Sequence, residues 1–595
     1  MTSQNVNSRS VELSRRRLIQ AAGLTSVGVA GAGALGACSA DSGDNGGDGT
    51  FVGAYDFDVT ASHYNAFADD NALLLDSVFG EFYIPRGALR VWSTGMWELQ
   101  LIEDFDLSND VLEIKIREGI EWTDGNELTS QDFEGTYNLA KLTTAPDDVG
   151  YPNIESIQSV DDYTVQIVFE DSFDGIEYSI MRERILPYAR FGEWMDRARD
   201  LLADGVEFGD DEEQDLTGEI SSEEFQDEGF ITCGPFKIES SGVSDNVVTM
   251  TKHENGLFAD QVNFNEIIVQ KADNATAAQL LLDQEIDYCT HVLGTSDRDV
   301  ISDVEGLRQL SMESSPDGVG LMLNWGRHEE FQDERVRQAL MHAIDREEVG
   351  IIAQGEDGSY PTQYVSGLSD GAAERLFSDS ELGDFNQYEL DHDRATQLLE
   401  DAGWTLDGDQ WLKPDGDAAS YELVAVSGWD DFVQTGNQVA EQLNAFGFDI
   451  EVLNVPEDNP WGIWGTGDFD IAVRQWGNVF RPDDWGAAQM NWFEDNDRTS
   501  SSPGMDVPTD EVDDLYVVAR DSFVEEERED ANKEIAQAFN EVLPRLPMWG
   551  FVRLTHGVEG VRVASLDYPE DWEENHPHED NPVVMAVLAG HIGPA

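Results

Sequence analysis

Basic charge is what this chain lacks most. Lysine occurs seven times and arginine 28 times, against 121 acidic residues, for a net charge of −86 over 595 residues. The acid is spread along the whole sequence, so no basic patch exists to neutralise phosphates, and nucleic acid is excluded as a partner. Cysteine occurs three times, too few for a cysteine metal cluster. Setting Cys38 aside, Cys233 and Cys289 are left as either one disulfide or two buried thiols. Past residue 50 there is no long apolar run, which excludes a spanning helix in the body. No short-period repeat is present, which argues against a repeat scaffold. A G-x-x-x-x-G-K-[ST] loop is also missing, so the chain does not energise anything with its own nucleotide.

So acidic a surface repels itself in dilute buffer. In molar salt the Debye length falls to about 3 Å and that repulsion is screened. The composition resembles that of extreme halophiles. About 545 residues follow the first 50, more than one core usually holds, and two to four domains are expected.

The first 50 residues read as export and attachment. "SRRRLIQ", Ser14 to Gln20, precedes about 17 small or apolar residues ending at Ala37. A charged region, an apolar region and a small-residue site make an export signal, and Arg15 and Arg16 resemble the twin-arginine type. "LGAC" then resembles a lipobox with Cys38 as the lipid acceptor, each buried methylene of the lipid gaining ~0.8 kcal/mol. The other reading, an uncleaved spanning helix with an incidental cysteine, is opposed by five glycines between Gly23 and Gly36. Residues 1–37 are therefore expected to be a signal. Residues 38–50, rich in Gly, Ser and Asp, are expected to be a flexible tether. This places the body outside the cytoplasmic membrane, held by lipidated Cys38.

In the body, Val111 to Arg117 alternates apolar and charged residues as a strand, "TDGN" turns, and Thr129 with Asp132 starts a helix from Ser130 to about Leu142. Tyr163 to Glu170 is a second strand. Asp204 to Gly229 is very acidic and poorly periodic, and reads as a solvated excursion. "ITCGPFKIES" returns to strand, and "ATAAQLLLDQEIDYCTHV" is a helix leading into a short strand. In "EEFQDERVRQALMHAIDREEV", Asp333 caps a helix whose apolar face is Val336, Ala339, Leu340, Ala343 and Ile344. "LDHDRATQLLEDAGW" repeats the device, with Asp391 as cap and Gly403 as stop. Strand Tyr421–Val426, a helix from about Asp431 to Phe446, strand Phe448–Val455 and strand Phe469–Gln475 follow. Strand–helix–strand order predicts a mainly parallel sheet in an α/β lobe.

These segments, in this order, resemble the extracytoplasmic solute-binding proteins of ABC importers, family 5, whose members take peptides, oligopeptides or nickel. The matching stretches are "IKIREGIEWTDGNELTSQDF", "CGPFKI", "LLDQEIDY", "LNWGRHEEFQDERVRQALMHAIDREEV", "ATQLLEDAGW" and "GDFDIAVRQWG". The resemblance implies a two-lobed clamp of the periplasmic-binding-protein type. Its first lobe is discontinuous, residues 51–95, 215–317 and 545–595, with an inserted subdomain at 96–214 and a second lobe at 318–544. It implies closure on a ligand between the lobes, delivery to a permease with its ATPase, no cofactor, no metal, a monomer, and binding rather than catalysis.

The ligand is expected to be a peptide or similar polar solute, with an oligosaccharide as the alternative and a metal complex as a third. Nine of the 15 tryptophans fall in 318–544. Core packing is their default role, but tryptophan beside Gly and Asn, as in "RQWGNVFRPDDW", suggests a cleft rim offering a flat face and one N–H. The expected ligand-binding residues are Trp429, Trp476, Asn478, Phe480 and Trp485. In peptide-binding relatives an Asp after the "W" pairs with the α-ammonium; aligning on Pro482 puts Asn478 there. A neutral amide gives no charge-assisted bond but can share hydroxyl or amide bonds.

An exported hydrolase is the competing class. "GLSDG", Gly367 to Gly371, fits G-x-S-x-G but lacks the strand-to-helix elbow. "HPH", His576 to His578, reads as a solvated tail rather than a metal site. "NAT" at Asn274 is a sequon on a helix, where occupancy is disfavoured.

Overall fold

The computed structural model describes residues 49–595 except 58–62, 69–72, 76, 145–149, 171, 174, 226–228, 314, 428, 457–463, 465–466, 479–483, 494–508, 510–511 and 523. The signal, the tether up to residue 48 and Cys38 therefore lie outside the described residues, as does Phe480; Thr50, expected as the last residue of the tether, instead opens a strand.

Three sheets organise the chain. The first has seven strands in the order Leu307–Met312, Arg553–Val558, Tyr288–Cys289, Thr50–Tyr55, Glu266–Lys271, Val247–Lys252 and Phe236–Ser244. Its centre is parallel: Thr50–Tyr55 runs alongside both Glu266–Lys271 and Tyr288–Cys289. The second has six strands in the order Ser359–Tyr360, Leu546–Phe551, Asp317–Leu323, Ile471–Gly477, Ser420–Val426 and Asp449–Val455. The third is a four-stranded antiparallel sheet of residues between Ile102 and Phe169. The chain passes between the first two sheets twice, after Met312 and at Val552. This is the two-lobed α/β arrangement expected.

Local sequence explains the helices. Thr129 and Asp132 close a capping box on Ser130–Thr143, so two otherwise orphaned N–H groups are satisfied reciprocally. Asp391 accepts from Arg394 N at 2.9 Å at the start of His392–Asp401. Gly447, at φ +109°, ends Asp430–Phe446 in the left-handed conformation that glycine adopts without a Cβ penalty. Asp391→Ala is expected to cost about 1 kcal/mol, read as a lowered urea midpoint at unchanged slope.

Four expectations are corrected. The second sheet is mixed, not mainly parallel. Ser420–Val426 is parallel to both neighbours, but Asp317–Leu323 is antiparallel to Ile471–Gly477 and to Leu546–Phe551. Leu546–Phe551 was expected in the first lobe (545–595), yet its pairing puts it in the second sheet. Asp211–Ser221 is a helix, not a solvated excursion; Leu216 and Ile220 are fully buried against Leu139, Phe191 and Met195. Those contacts attach it to the inserted subdomain, so a limit at 214/215 cuts through a helix. Finally, the helix capped by Asp333 stops at Ala343. Ile344 is extended, and Asp345 caps a new helix, Arg346–Gln354, by accepting from Glu348 N at 3.1 Å.

Candidate functional site: the cleft between the two large sheets

Among the described residues, two cavities lie between the seven-stranded and six-stranded sheets. The larger, of about 680 Å³, is built from strand ends. Tyr55 ends the strand Thr50–Tyr55 and Asp56 follows it, Asp273 and Asn274 follow Glu266–Lys271, and Thr290 to Val292 follow Tyr288–Cys289. From the opposite sheet come Trp429 to Phe432, which follow Ser420–Val426, together with Gln475. Phe551 and Arg553, flanking the second crossover, complete it. Ligand sites of open α/β sheets lie outside the carboxyl ends of strands, in the crevice left where the strand order reverses.

The chemistry of this cavity is aromatic and acidic. Trp429 is half-buried, edge-on to Phe432 at 4.9 Å. Asp431 accepts from Phe432 N at 3.0 Å. Burial pushes its carboxyl up to about 6, against the pull of the Arg553 guanidinium. Arg553 forms a buried ion pair with Asp317 and lies 3.7 Å over the Phe551 ring. His291 contacts the Ala272 carbonyl oxygen through Nε2 at 2.8 Å, and burial lowers its pKa. Four carboxylates, Asp56, Asp273, Asp430 and Asp431, face this space.

The second cavity, of about 660 Å³, follows the edge strand Leu307–Met312 and the first crossover. Asn478 lines it, with Asp484, Arg375, Trp92 and Tyr568. Asn478 N donates to Pro316 O at 2.9 Å. The preceding Gly477 has φ +83°, and a Cβ there would sit 2.2 Å from that same carbonyl oxygen.

The structure separates the expected ligand-binding residues. Trp429 lines the larger cavity and Asn478 the smaller. Trp476 lines neither: it is buried, donates from Nε1 to Trp549 O at 3.0 Å and packs on Gly318. Trp485 is buried, with an edge contact to Tyr516 at 6.3 Å. Seven of the eight described tryptophans within 318–544 are buried, and Trp429 is the exception. Sequence reasoning missed Tyr55, Asp56, Asp273, His291, Gln475 and Arg553. Except for Gln475, which lies inside Ile471–Gly477, their shared signal is position at or just past a strand end, which becomes readable once the strands are known.

The other motifs also find places. Ser369 of "GLSDG" is the N-cap of Asp370–Leu376 and accepts from Ala372 N at 3.3 Å. His576 is buried and stacked on Trp92 at 5.8 Å rather than solvated, while His578 is exposed at the larger cavity. Cys233 and Cys289 are both free and buried, and burial pushes both thiols up.

The middle region of the bacterial extracellular solute-binding proteins, family 5, matches residues 97–498, more than half of the chain. The chain belongs to this family. As a family 5 protein it is 24% identical over 396 residues to the oligopeptide-binding protein AppA of Bacillus subtilis, covering 63% of this chain and 64% of that one. It is 21% identical over 414 residues to the oligopeptide-binding protein OppA of Lactococcus lactis subsp. cremoris, covering 63% and 65%. The match thus spans a little under two thirds of the length of these relatives. Among solved structures, the mannohexaose-bound periplasmic oligopeptide-binding protein of Thermotoga maritima superposes with a TM-score of 0.72 at 16% identity, over 92% of this chain and 99% of that one. AppA of B. subtilis with a nonapeptide gives 0.68 at 18%, over 92% and 99%. NikZ of Campylobacter jejuni with Ni(L-His) gives 0.66 at 19%, over 87% and 95%.

Proposed function

We propose that this family 5 chain is the extracytoplasmic binding component of an ABC importer, taking a peptide or similar polar solute between its two lobes. The observation that carries this is the 680 Å³ cavity, a volume typical of ligand pockets, walled by strand ends of both large sheets and by the second crossover. A solute there touches both walls at once only when they are close, so binding favours the closed form. A permease that reads the closed shape then receives a loaded protein. Turnover is not part of this reading, because the one nucleophile motif is occupied as a helix cap.

The fold alone does not choose the solute, since structural neighbours hold a hexasaccharide, a nonapeptide and a nickel–histidine complex. The lining favours a peptide: four carboxylates beside the Trp429 ring suit an ammonium group. An oligosaccharide is the second reading, supported by the same flat ring, on which a sugar face can stack. On the sequence signals we further propose export by the twin-arginine route, lipid attachment at Cys38, a monomer and a high-salt habitat. We also propose lobe limits that follow the two crossovers after Met312 and at Val552.

Thermal unfolding in molar salt against peptide and oligosaccharide panels tests this. A solute at 100-fold its Kd should stabilise by ~2.7 kcal/mol, and a panel with no shift in either class would overturn the reading. The charge of Asp431 adds a pH test. Below about 5 this carboxyl is neutral and above about 7 it is charged, given its value of about 6. Affinity for an ammonium-bearing solute should therefore rise with pH through this window, and Asp431→Asn should flatten the titration-calorimetry profile.

A further inference from the structure

A third cavity, of about 470 Å³, lies away from the cleft and shares no lining residue with the two cavities there. It opens where the helices Ser130–Thr143 and Asp211–Ser221 meet Arg86 and the segment from Ser179 to Leu186. Its volume falls in the range of small-molecule pockets. The chain holds 35 basic residues against 121 acidic ones, yet three arginines line this one space: Arg86, Arg182 and Arg184. Hydroxyls stand beside them. Those of Thr144, Ser179 and Ser221 make no hydrogen bond among the described residues.

The charges here are unevenly matched. Arg86 and Arg184 sit directly opposite one another in an isolated antiparallel bridge, and like charges so placed repel. One carboxylate, Glu81, serves both, at 2.9 Å from Arg184 and 3.5 Å from Arg86. The next two, Glu579 and Asp580, are both paired with Arg182. Arg86 Nη1 donates to the main-chain oxygen of Glu579 at 3.3 Å, and Arg86 Nη2 has no partner among the described residues. Glu183 is the one carboxylate among the described lining residues. It accepts from the Tyr151 hydroxyl at 2.6 Å and from Arg184 N at 3.2 Å. Burial, and then the Arg182 guanidinium, hold Arg86 below the usual arginine value despite Glu81. Two guanidiniums thus share one counter-charge at the wall of a cavity.

We propose that this third cavity binds a small organic anion, a carboxylate or a phosphate ester, whose oxygens pair with Arg86 and supply the missing counter-charge. Bonds from a guanidinium to an oxyanion are charge-assisted and directional, which favours an oxyanion over chloride. The volume calls for an organic body behind the charged group, and the hydroxyls of Thr144, Ser179 and Ser221 offer it hydrogen bonds. Charges set back from the surface are screened less by salt than exposed ones, so the site holds its ligand in molar salt. It is separate from the solute site and does not depend on what the cleft takes.

The probes are glycerol 3-phosphate and succinate, each titrated at millimolar concentration into the full chain in molar potassium chloride. Calorimetry should detect binding of at least one, and hydrogen-exchange mass spectrometry should show at least tenfold slower exchange in 136–144 and 179–186. Binding of the phosphate ester alone assigns the site to phosphoryl groups, binding of succinate alone to carboxylates, and binding of both to oxyanions at large. Arg86→Gln should weaken the bound probe at least tenfold. Ser179→Leu, which fills part of the space and removes no hydrogen bond seen in the structure, should do the same, and it keeps the test open should Arg86→Gln not fold. If neither probe binds, if both variants bind like the parent, or if protection appears only around 429–432 and 475, the proposal falls and the proposed function stands.

Discussion

Arg553→Ala is expected to destabilise the protein by about 3–5 kcal/mol, the usual cost of leaving one partner of a buried ion pair alone. Arg553 opens the strand Arg553–Val558 just after the second crossover, and Asp317 opens Asp317–Leu323 just after the first. Their contact therefore ties the two connections between the sheets to each other. Asp317 is fully buried and Arg553 is 9% exposed. Ser315 Oγ donates to Asp317 Oδ1 at 2.5 Å, and the guanidinium rests on the Phe551 ring, a desolvated cation–π contact that adds to the loss. Salt cannot relieve the effect, because screening ions reach exposed charges and not this pair. Lys115–Asp104 is the contrast: both side chains are more than half exposed at 3.3 Å, and Lys115→Ala should cost under about 1 kcal/mol. Urea unfolding at fixed molar salt measures both. The paired change Asp317→Leu with Arg553→Met should recover much of the loss, since an apolar pair of similar volume needs no compensation. A loss under about 1 kcal/mol for Arg553→Ala would mean that water reaches Asp317.

Signals that act over a few residues were legible in the sequence. The caps at Thr129, Asp333 and Asp391 and the stop at Gly403 are satisfied or enforced within one turn, so the letters alone place them. Asp345 shows how such a signal is overlooked: the apolar face continues through Ile344, and a periodic pattern masks a cap inside it. The helix Asp211–Ser221 was hidden by its own acid, although Leu216 and Ile220 already stood one turn apart on one face. Sheet order was not legible, because pairing Asp317–Leu323 with Leu546–Phe551 joins segments more than 220 residues apart, and no local pattern records that. The cleft suffered for the same reason. Its residues come mostly from strand ends scattered over the whole chain, and among the expected residues that are described only Trp429 and Asn478 reach a cavity.

Trp476 and Trp429 should separate core from cleft by their opposite responses. The strand Ile471–Gly477 is buried on both faces except at Gln475, so it shows no alternation to mark which side faces a ligand. A tryptophan in such a strand looks the same from sequence whether it packs or binds. Trp476 is 1% exposed with its one N–H spent on Trp549 O. Trp476→Ala should cost about 3–5 kcal/mol in urea unfolding, with binding of any solute weakened only as far as the fold is. Among the described residues Trp429 meets the rings of Phe432 at 4.9 Å and Trp464 at 5.9 Å, and it lines the larger cavity. Trp429→Ala should cost about 1–2 kcal/mol of stability from those ring contacts, while solute affinity drops by roughly 30-fold or more, as for a central aromatic anchor. The pair of variants decides the matter through the ratio of the two effects. A stable Trp476→Ala protein that no longer binds solute would place the Trp476 ring in the ligand's path. Unchanged affinity in Trp429→Ala would move the solute out of the larger cavity.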